Sequence, residues 1–205
     1  MIESDEGLLF IVCGPSGVGK TTLCRELLEQ RPRLSLSISY TTRSPRGDEK
    51  DGVAYHFVNE SRFQEMIDQE LFAEWARVHG HSYGTSVEVI EDAWSKGRDI
   101  LFDIDYQGAG QLRARFGKRA VLTLVVPPSM GILEKRLRGR GTDSAEVVDR
   151  RLQAARHELS QFPMFDYVIV NDDLAHAQAM IFSIYDSSRH MRLIWEERMR
   201  SLLSL

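Results

Sequence analysis

Cysteine is almost absent from this chain of 205 residues, which carries only Cys13 and Cys24. One falls in an apolar run and the other in the helical stretch after it, so both read as buried thiols and a disulfide framework is excluded. Proline is scarce as well, at 6 residues, and with 42% hydrophobic and 27% charged residues the chain is neither disordered nor of low complexity. Long apolar runs are missing. The first run, residues 8–13, follows an acidic start and is too short for a signal peptide or a membrane span. The chain therefore reads as soluble and cytoplasmic, with no membrane partner. An excess of positive charge is missing too: 26 Lys and Arg stand against 30 Asp and Glu, a net charge of −4. That balance excludes a general nucleic-acid surface, which needs a basic field, but leaves room for a small basic pocket holding one nucleotide. Where the arginines cluster matters more than how many there are.

The length is one domain's worth, and no internal repeat divides it. Runs rich in β-branched and aromatic residues predict strands at 8–13, 34–39, 99–104, 120–126 and 167–170. Apolar spacing predicts helices at 21–31, 129–138, 144–161 and 174–199. Strands alternating with helices give an α/β fold, a mostly parallel sheet in three layers. Two stretches break the alternation. Residues 40–89 hold short β-like pieces at 55–58 and 72–78 around a helix at 60–70, and read as an insertion on the edge of the sheet. Residues 136–151 are crowded with arginine and glycine and read as a charged flap.

Gly14-Pro15-Ser16-Gly17-Val18-Gly19-Lys20-Thr21 fits the phosphate-loop pattern G-x-x-x-x-G-K-[ST], between a predicted strand and a predicted helix. Glycines let the backbone wrap with its N–H groups inward, and the helix N-terminus adds positive potential. Lys20 supplies a point charge for the β- and γ-phosphates, the Thr21 hydroxyl can ligate Mg²⁺, and Thr22 completes the ATP-binding stretch. A glycine-rich turn with an incidental lysine would need neither flanking element. By itself the loop leaves GTPases, ATPases and kinases open. The apolar strand ending at Asp103 and Asp105 has the form of a metal-side acidic strand, since ligands in such sheets sit beyond the carboxyl ends of the strands. Either carboxylate can hold Mg²⁺, directly or through water. Asp105 serves equally well as the N-cap of a helix beginning near Gln107.

The segment Ser37-Ile38-Ser39-Tyr40-Thr41-Thr42-Arg43-Ser44-Pro45-Arg46, followed by Gly52, Tyr55 and Phe57, resembles the guanylate kinase signature. The resemblance continues through Phe72-Ala73-Glu74-Trp75, Tyr83-Gly84-Thr85-Ser86, Asp103-Ile104-Asp105-Tyr106-Gln107-Gly108, Arg136-Leu137-Arg138-Gly139-Arg140-Gly141, Arg151-Leu152 and Val170-Asn171-Asp172-Asp173. It spans nearly the whole chain in order. It implies a P-loop kinase fold: a core at 1–38, 90–128 and 163–205, a small mixed α/β GMP-binding insertion at 39–89, and a helical lid at 129–162. The implied reaction is ATP + GMP ⇌ ADP + GDP with Mg²⁺. Arg43, Arg46, Tyr55 and Tyr83 would hold the acceptor monophosphate, with Asp103 beside it, and Ser39, Glu74 and Thr85 would read guanine. Lid arginines Arg136, Arg140 and Arg151 would join Lys20, Arg43 and Asp103 in catalysis, and Asn171 would touch the adenine side.

The chemistry agrees. Bringing two polyanions together requires fixed positive charge, and arginine suits bidentate phosphate contacts. A carboxylate such as Glu74 accepts from guanine N1–H and N2–H₂ together, whereas adenine would leave it unpaired. Each residue also has a plainer reading: solvated arginines, half-buried tyrosines, and Glu74 as the outward position of an alternating strand between Phe72 and Trp75. Gly139 and Gly141 favour a hinge over a continuous charged helix face. The chain departs from the family at Pro45-Arg46-Gly47-Asp48-Glu49, where Asp48 takes a place usually held by glycine and would have to tolerate a left-handed backbone. His79 and His81 lack the companions a zinc site needs. Two rival functions stand beside the kinase: a silent interaction module of the same fold, against which the intact phosphate loop argues, and a kinase for another phosphorylated acceptor. The final helix can pack on its own sheet or supply a dimer contact, so monomer and homodimer both stay open.

Overall fold

A computed structural model describes residues 7–78, 80–139 and 144–203. In chain order, β1 (Leu9–Cys13) leads through the phosphate loop into α1 (Lys20–Gln30), and β2 (Leu34–Leu36) follows. A second unit then holds β3 (Tyr40–Thr41), β4 (His56–Phe57), α2 (Glu60–Asp68), β5 (Phe72–Val78) and β6 (His81–Ser86). The chain returns through α3 (Val87–Ser95), β7 (Asp99–Asp103), α4 (Tyr106–Phe116) and β8 (Ala120–Val126). It ends with α5 (Met130–Arg138), α6 (Ala145–Ser160), β9 (Tyr167–Val170), α7 (Leu174–Ser188) and α8 (Glu196–Leu202).

The main sheet has the order β2-β7-β1-β8-β9, and every pairing in it is parallel. Its central strands are buried on both faces, which is why they read as unbroken apolar runs rather than alternating ones. Phe10, Val12, Val121 and Val125 face a cluster with Leu23 and Leu27 of α1 and Ala177 and Ile181 of α7. Leu9, Ile11, Ile100 and Leu122 face the opposite cluster, with Ile90 of α3 and Leu112 of α4. This is the three-layer α/β arrangement expected from the alternation of elements. Leu133, Leu137, Val148 and Ala155, from α5 and α6, are buried in the same cluster as Val18 of the phosphate loop.

The insertion differs from the sequence reading. It does not extend the edge of the main sheet but forms a four-stranded sheet of its own, in the order β4-β3-β6-β5. It has a small core of Phe63, Met66 and Phe72. The two units meet at α4: Gln111 Oε1 accepts from Trp75 N–H at 3.1 Å, and Gln111 Nε2 donates to the Trp75 carbonyl at 2.7 Å. Helix α3 was not foreseen. The strand expected at 34–39 pairs only over Leu34–Leu36, after which the chain crosses to the second sheet.

The predicted helix at 174–199 is broken, although no proline or glycine marks the place. After Ser188, Arg189 donates to Asp99 at 3.0 Å, and the Trp195 indole N–H donates to the Arg189 carbonyl at 2.8 Å. Asp99 is fully buried and also accepts from Leu8 N–H at 2.9 Å and the Tyr185 hydroxyl at 2.6 Å. Tertiary bonding thus overrides the helical periodicity. The left-handed turn residue after Arg46 is Gly47, at φ 54°, so Asp48 need not carry that conformation. His79, Arg140 and Gly141 lie outside the described residues.

Candidate functional site

The phosphate loop closes around its own lysine. Gly14 and Gly19 take φ of 142° and 95°. A Cβ on Gly14 would lie 2.2 Å from the Val125 carbonyl oxygen, and one on Gly19 would lie 2.4 Å from Asn171 Nδ2. Only glycine fits at either place. Lys20 Nζ donates to the Gly14 carbonyl at 2.7 Å and pairs with Asp103 Oδ1 at 3.3 Å. Burial draws the Lys20 amine downward, but Asp103 and Glu158 outweigh it and hold the pKa above the ordinary lysine value. The lysine stays charged. Helix α1 begins with no side-chain cap, so its first N–H groups form the kind of terminus that receives an anion.

The loop forms one wall of a cavity of about 570 Å³, whose opposite wall comes from the insertion. The loop wall contributes Gly14, Lys20, Thr21 and Thr22, and the far side is lined by Ser39, Arg46, Tyr55, Glu74 and Tyr83. Asp103 and Asp105 lie between them. Asp105 caps α4, accepting from Gln107 N–H at 3.1 Å and Gly108 N–H at 3.0 Å. The capping alternative therefore describes Asp105, while Asp103 stays with the lysine.

Glu74 owes its position to an irregularity in β5. The register shifts between Phe72, opposite Ser86, and Glu74, opposite Thr85. A regular strand would put Phe72 and Glu74 on one face. The bulge reverses the alternation, so Phe72 enters the α2 core while Glu74, Ala76 and Val78 face the cavity. Trp75, not Glu74, is the outward residue, at 39% exposure against 3%. Burial pushes the Glu74 carboxyl up to about 7, and Asp105 adds to this, while hydrogen bonds from Thr85 oppose it. Ser39 Oγ and Thr85 Oγ1 share a hydrogen bond at 3.0 Å.

The guanylate kinase family model matches residues 7–187. The chain belongs to the guanylate kinase family. It is 55% identical to the guanylate kinase of Dechloromonas aromatica (strain RCB) over 171 residues, covering 83% of this chain and 84% of that one. It is 48% identical to the guanylate kinase of Oleidesulfovibrio alaskensis over 185 residues, covering 90% of this chain and 89% of that one. The crystal structure of guanylate kinase from Anaplasma phagocytophilum superposes with a TM-score of 0.74 at 30% identity, covering 96% of this chain and 97% of that one.

Within this guanylate kinase fold, several expected residues stand apart from the cavity wall. Arg43 is buried, and its fork is held by Glu49 through two bonds of 3.0 Å, beneath Tyr55 at 5.3 Å. Glu49 also accepts from Arg46 N–H at 2.8 Å. The Arg43 fork and the Arg46 amide hold the Glu49 carboxyl below its usual range. Asn171 is buried behind the phosphate loop: its Nδ2 donates to the Val18 carbonyl at 2.6 Å, and its own carbonyl accepts from Arg136 at 2.9 Å. Arg151 is half-buried on α6.

Sequence reasoning assigned no role to Glu49, and it missed Glu158, which lines the cavity near Lys20 and Asp105. A signal was available. Val148, Arg151, Ala155 and Glu158 share one helical stripe, two of them buried, so a carboxylate there faces inward. Burial raises the Glu158 carboxyl above its usual value, with Lys20 opposing and Asp105 adding. Among the described residues, no group of three or more His, Cys, Asp or Glu could hold a metal. Nor, among them, is any helix long and apolar enough to cross a membrane.

Proposed function

We propose that this chain transfers the γ-phosphoryl group of ATP to GMP in the cytoplasm, with its residues divided between the two walls of one cavity. The observation that carries the reading is that Glu74 and Lys20 line the same cavity from opposite units. On the donor side, residues Gly14 to Thr22 wrap the triphosphate, and Lys20 neutralises charge on the β- and γ-phosphates. Asn171 acts here as a brace on the loop, which its bond to Val18 supports better than an adenine contact.

On the acceptor side, ionised Glu74 accepts from guanine N1–H and N2–H₂, and the hydroxyls of Ser39 and Thr85 donate toward O6. Arg46, Tyr55 and Tyr83 hold the monophosphate. Arg43, set behind that wall with its fork held by Glu49, adds positive charge from behind them, while Arg136 and Arg151 spread the charge of the moving group. The acceptor phosphate is already anionic, so no strong base is needed, and alignment with electrostatic stabilisation carries the rate.

Mg²⁺ fits the oxygen donors available, and the Thr21 hydroxyl and the Asp103 carboxylate would hold it. When bound, it would supply positive charge that neutralises the phosphates during transfer. Asp103 meanwhile holds Lys20 in place, and Asp105 is occupied in capping α4.

The test is ADP production from Mg·ATP with GMP, AMP, CMP or UMP as acceptor. GMP should be the preferred acceptor. Turnover no higher with GMP than without any acceptor would defeat the kinase reading, and equal turnover with AMP would defeat the role given to Glu74.

A further inference from the structure

Helix α4 carries two glycines, Gly108 and Gly110, although glycine weakens a helix. Gly108 stands in the first turn, where its N–H donates to Asp105. A Cβ at Gly108 would lie 2.5 Å from Glu74 Oε2, 3.3 Å from Glu74 Cδ and 3.1 Å from Ile104 Cδ1. The Glu74 carboxylate therefore rests directly on the glycine's bare backbone. At Gly110 a Cβ would come no closer than 3.5 Å, to Met164 Cε, an ordinary contact.

The inference rests on the reading of Glu74 as the guanine acceptor. We propose that Gly108 is a specificity-positioning residue: its missing side chain lets Glu74 seat against α4, with its oxygens at the depth that meets guanine N1–H and N2–H₂ together. The atoms crowded are the far end of the flexible Glu74 side chain on a cavity wall, so an added methyl at Gly108 can drive the carboxylate off its bonds with Thr85 and into the cavity without breaking the fold. What is lost is its alignment. The atoms nearest that Cβ belong to Glu74 and Ile104 rather than to the phosphate loop, so ATP binding should be unaffected.

The experiment compares Gly108→Ala, Gly110→Ala, Glu74→Ala and the Gly108→Ala/Glu74→Ala double variant. The readouts are KM for GMP, IMP and ATP, kcat, and thermal unfolding. IMP keeps N1–H and O6 but lacks the 2-amino group, so the GMP-to-IMP preference reports carboxylate alignment rather than general damage. Gly108→Ala should raise KM for GMP about tenfold, the scale of one weakened charge-assisted hydrogen bond, and narrow the GMP-to-IMP preference. KM for ATP should not move, and Tm should not fall, because alanine favours the helix. Gly110→Ala should leave all four kinetic readouts as they are. On the Glu74→Ala background, Gly108→Ala should change KM for GMP by less than about twofold.

If Glu74→Ala leaves the GMP-to-IMP preference intact, the guanine reading itself fails. If Glu74→Ala abolishes that preference while Gly108→Ala leaves it unchanged, the role of Gly108 alone is overturned. Should Gly108→Ala unfold the protein, the double variant must restore folding, because the crowded carboxylate is gone. A double variant that stays unfolded also overturns the proposal.

Discussion

Replacing Glu74 with glutamine should weaken GMP binding and stabilise the protein at the same time. Glutamine has nearly the same shape, but it keeps one acceptor and turns an amide donor toward the second guanine donor. Losing one charge-assisted hydrogen bond and facing two donors together costs roughly 2–4 kcal/mol, or about 30- to 1,000-fold in affinity. Stability should move the other way. The Glu74 carboxyl sits at about 7 in the folded protein because it is buried, against an ordinary value of 4.5.

A group whose pKa is raised on folding contributes fully below its unfolded value, and that contribution is lost as pH rises through the folded value. At pH 8 the folded protein therefore holds an ionised carboxylate at a cost on the order of 3 kcal/mol, which glutamine removes. For a chain of this size that is roughly a 6–12 °C rise in Tm at pH 8, shrinking as pH falls below 7 and vanishing below about 4.5. In the unsubstituted protein, protonation should also raise KM for GMP as pH drops below 7, by up to about tenfold per unit. Titration calorimetry with GMP, and thermal unfolding at pH 5 and pH 8, read both effects. Unchanged GMP affinity, or a lower Tm at pH 8, would refute the reasoning.

If Asn171 braces the loop through its bond to Val18, Asn171→Ala should raise KM for ATP and for a guanine donor by the same factor, about tenfold. A change in adenine-over-guanine donor preference, measured with ATP and GTP, would return Asn171 to the adenine side. Asp99→Ala should cost about 3–5 kcal/mol, since it removes the buried carboxylate that accepts from Arg189, the Tyr185 hydroxyl and the Leu8 amide together. Denaturant unfolding measures this, and the GMP-to-AMP preference of the folded fraction should not change.

The donor side was legible in the sequence because its requirements are local. A phosphate loop needs glycines at fixed offsets between a strand and a helix, and Gly14 to Thr21 display them in one stretch. The parallel core was legible for a similar reason: strands buried on both faces announce themselves as apolar runs, and β8 and β9 match their predicted bounds. Glu74 was found by resemblance, but its orientation was not legible, because one extra residue in β5 reverses the alternation on which any strand pattern depends. The break near Arg189 is set by Asp99, which is distant in sequence, and periodicity within the helix cannot register it. The docking of the insertion on α4 uses Gln111 and Arg115, whose side chains bond the main chain of Trp75 and Phe72, so no complementary side chain marks it in the sequence.

ATP and GMP are proposed to bind head to head on opposite walls of one cavity. A bisubstrate ligand, adenosine and guanosine joined through five phosphates, tests it most directly by calorimetry in the presence of Mg²⁺. One molecule should bind per chain, at least about a hundredfold tighter than ATP alone, with competition against both ATP and GMP. The diadenosine analogue should lose most of that gain. Binding no tighter than ATP, or equal binding of the two ligands, would contradict the account.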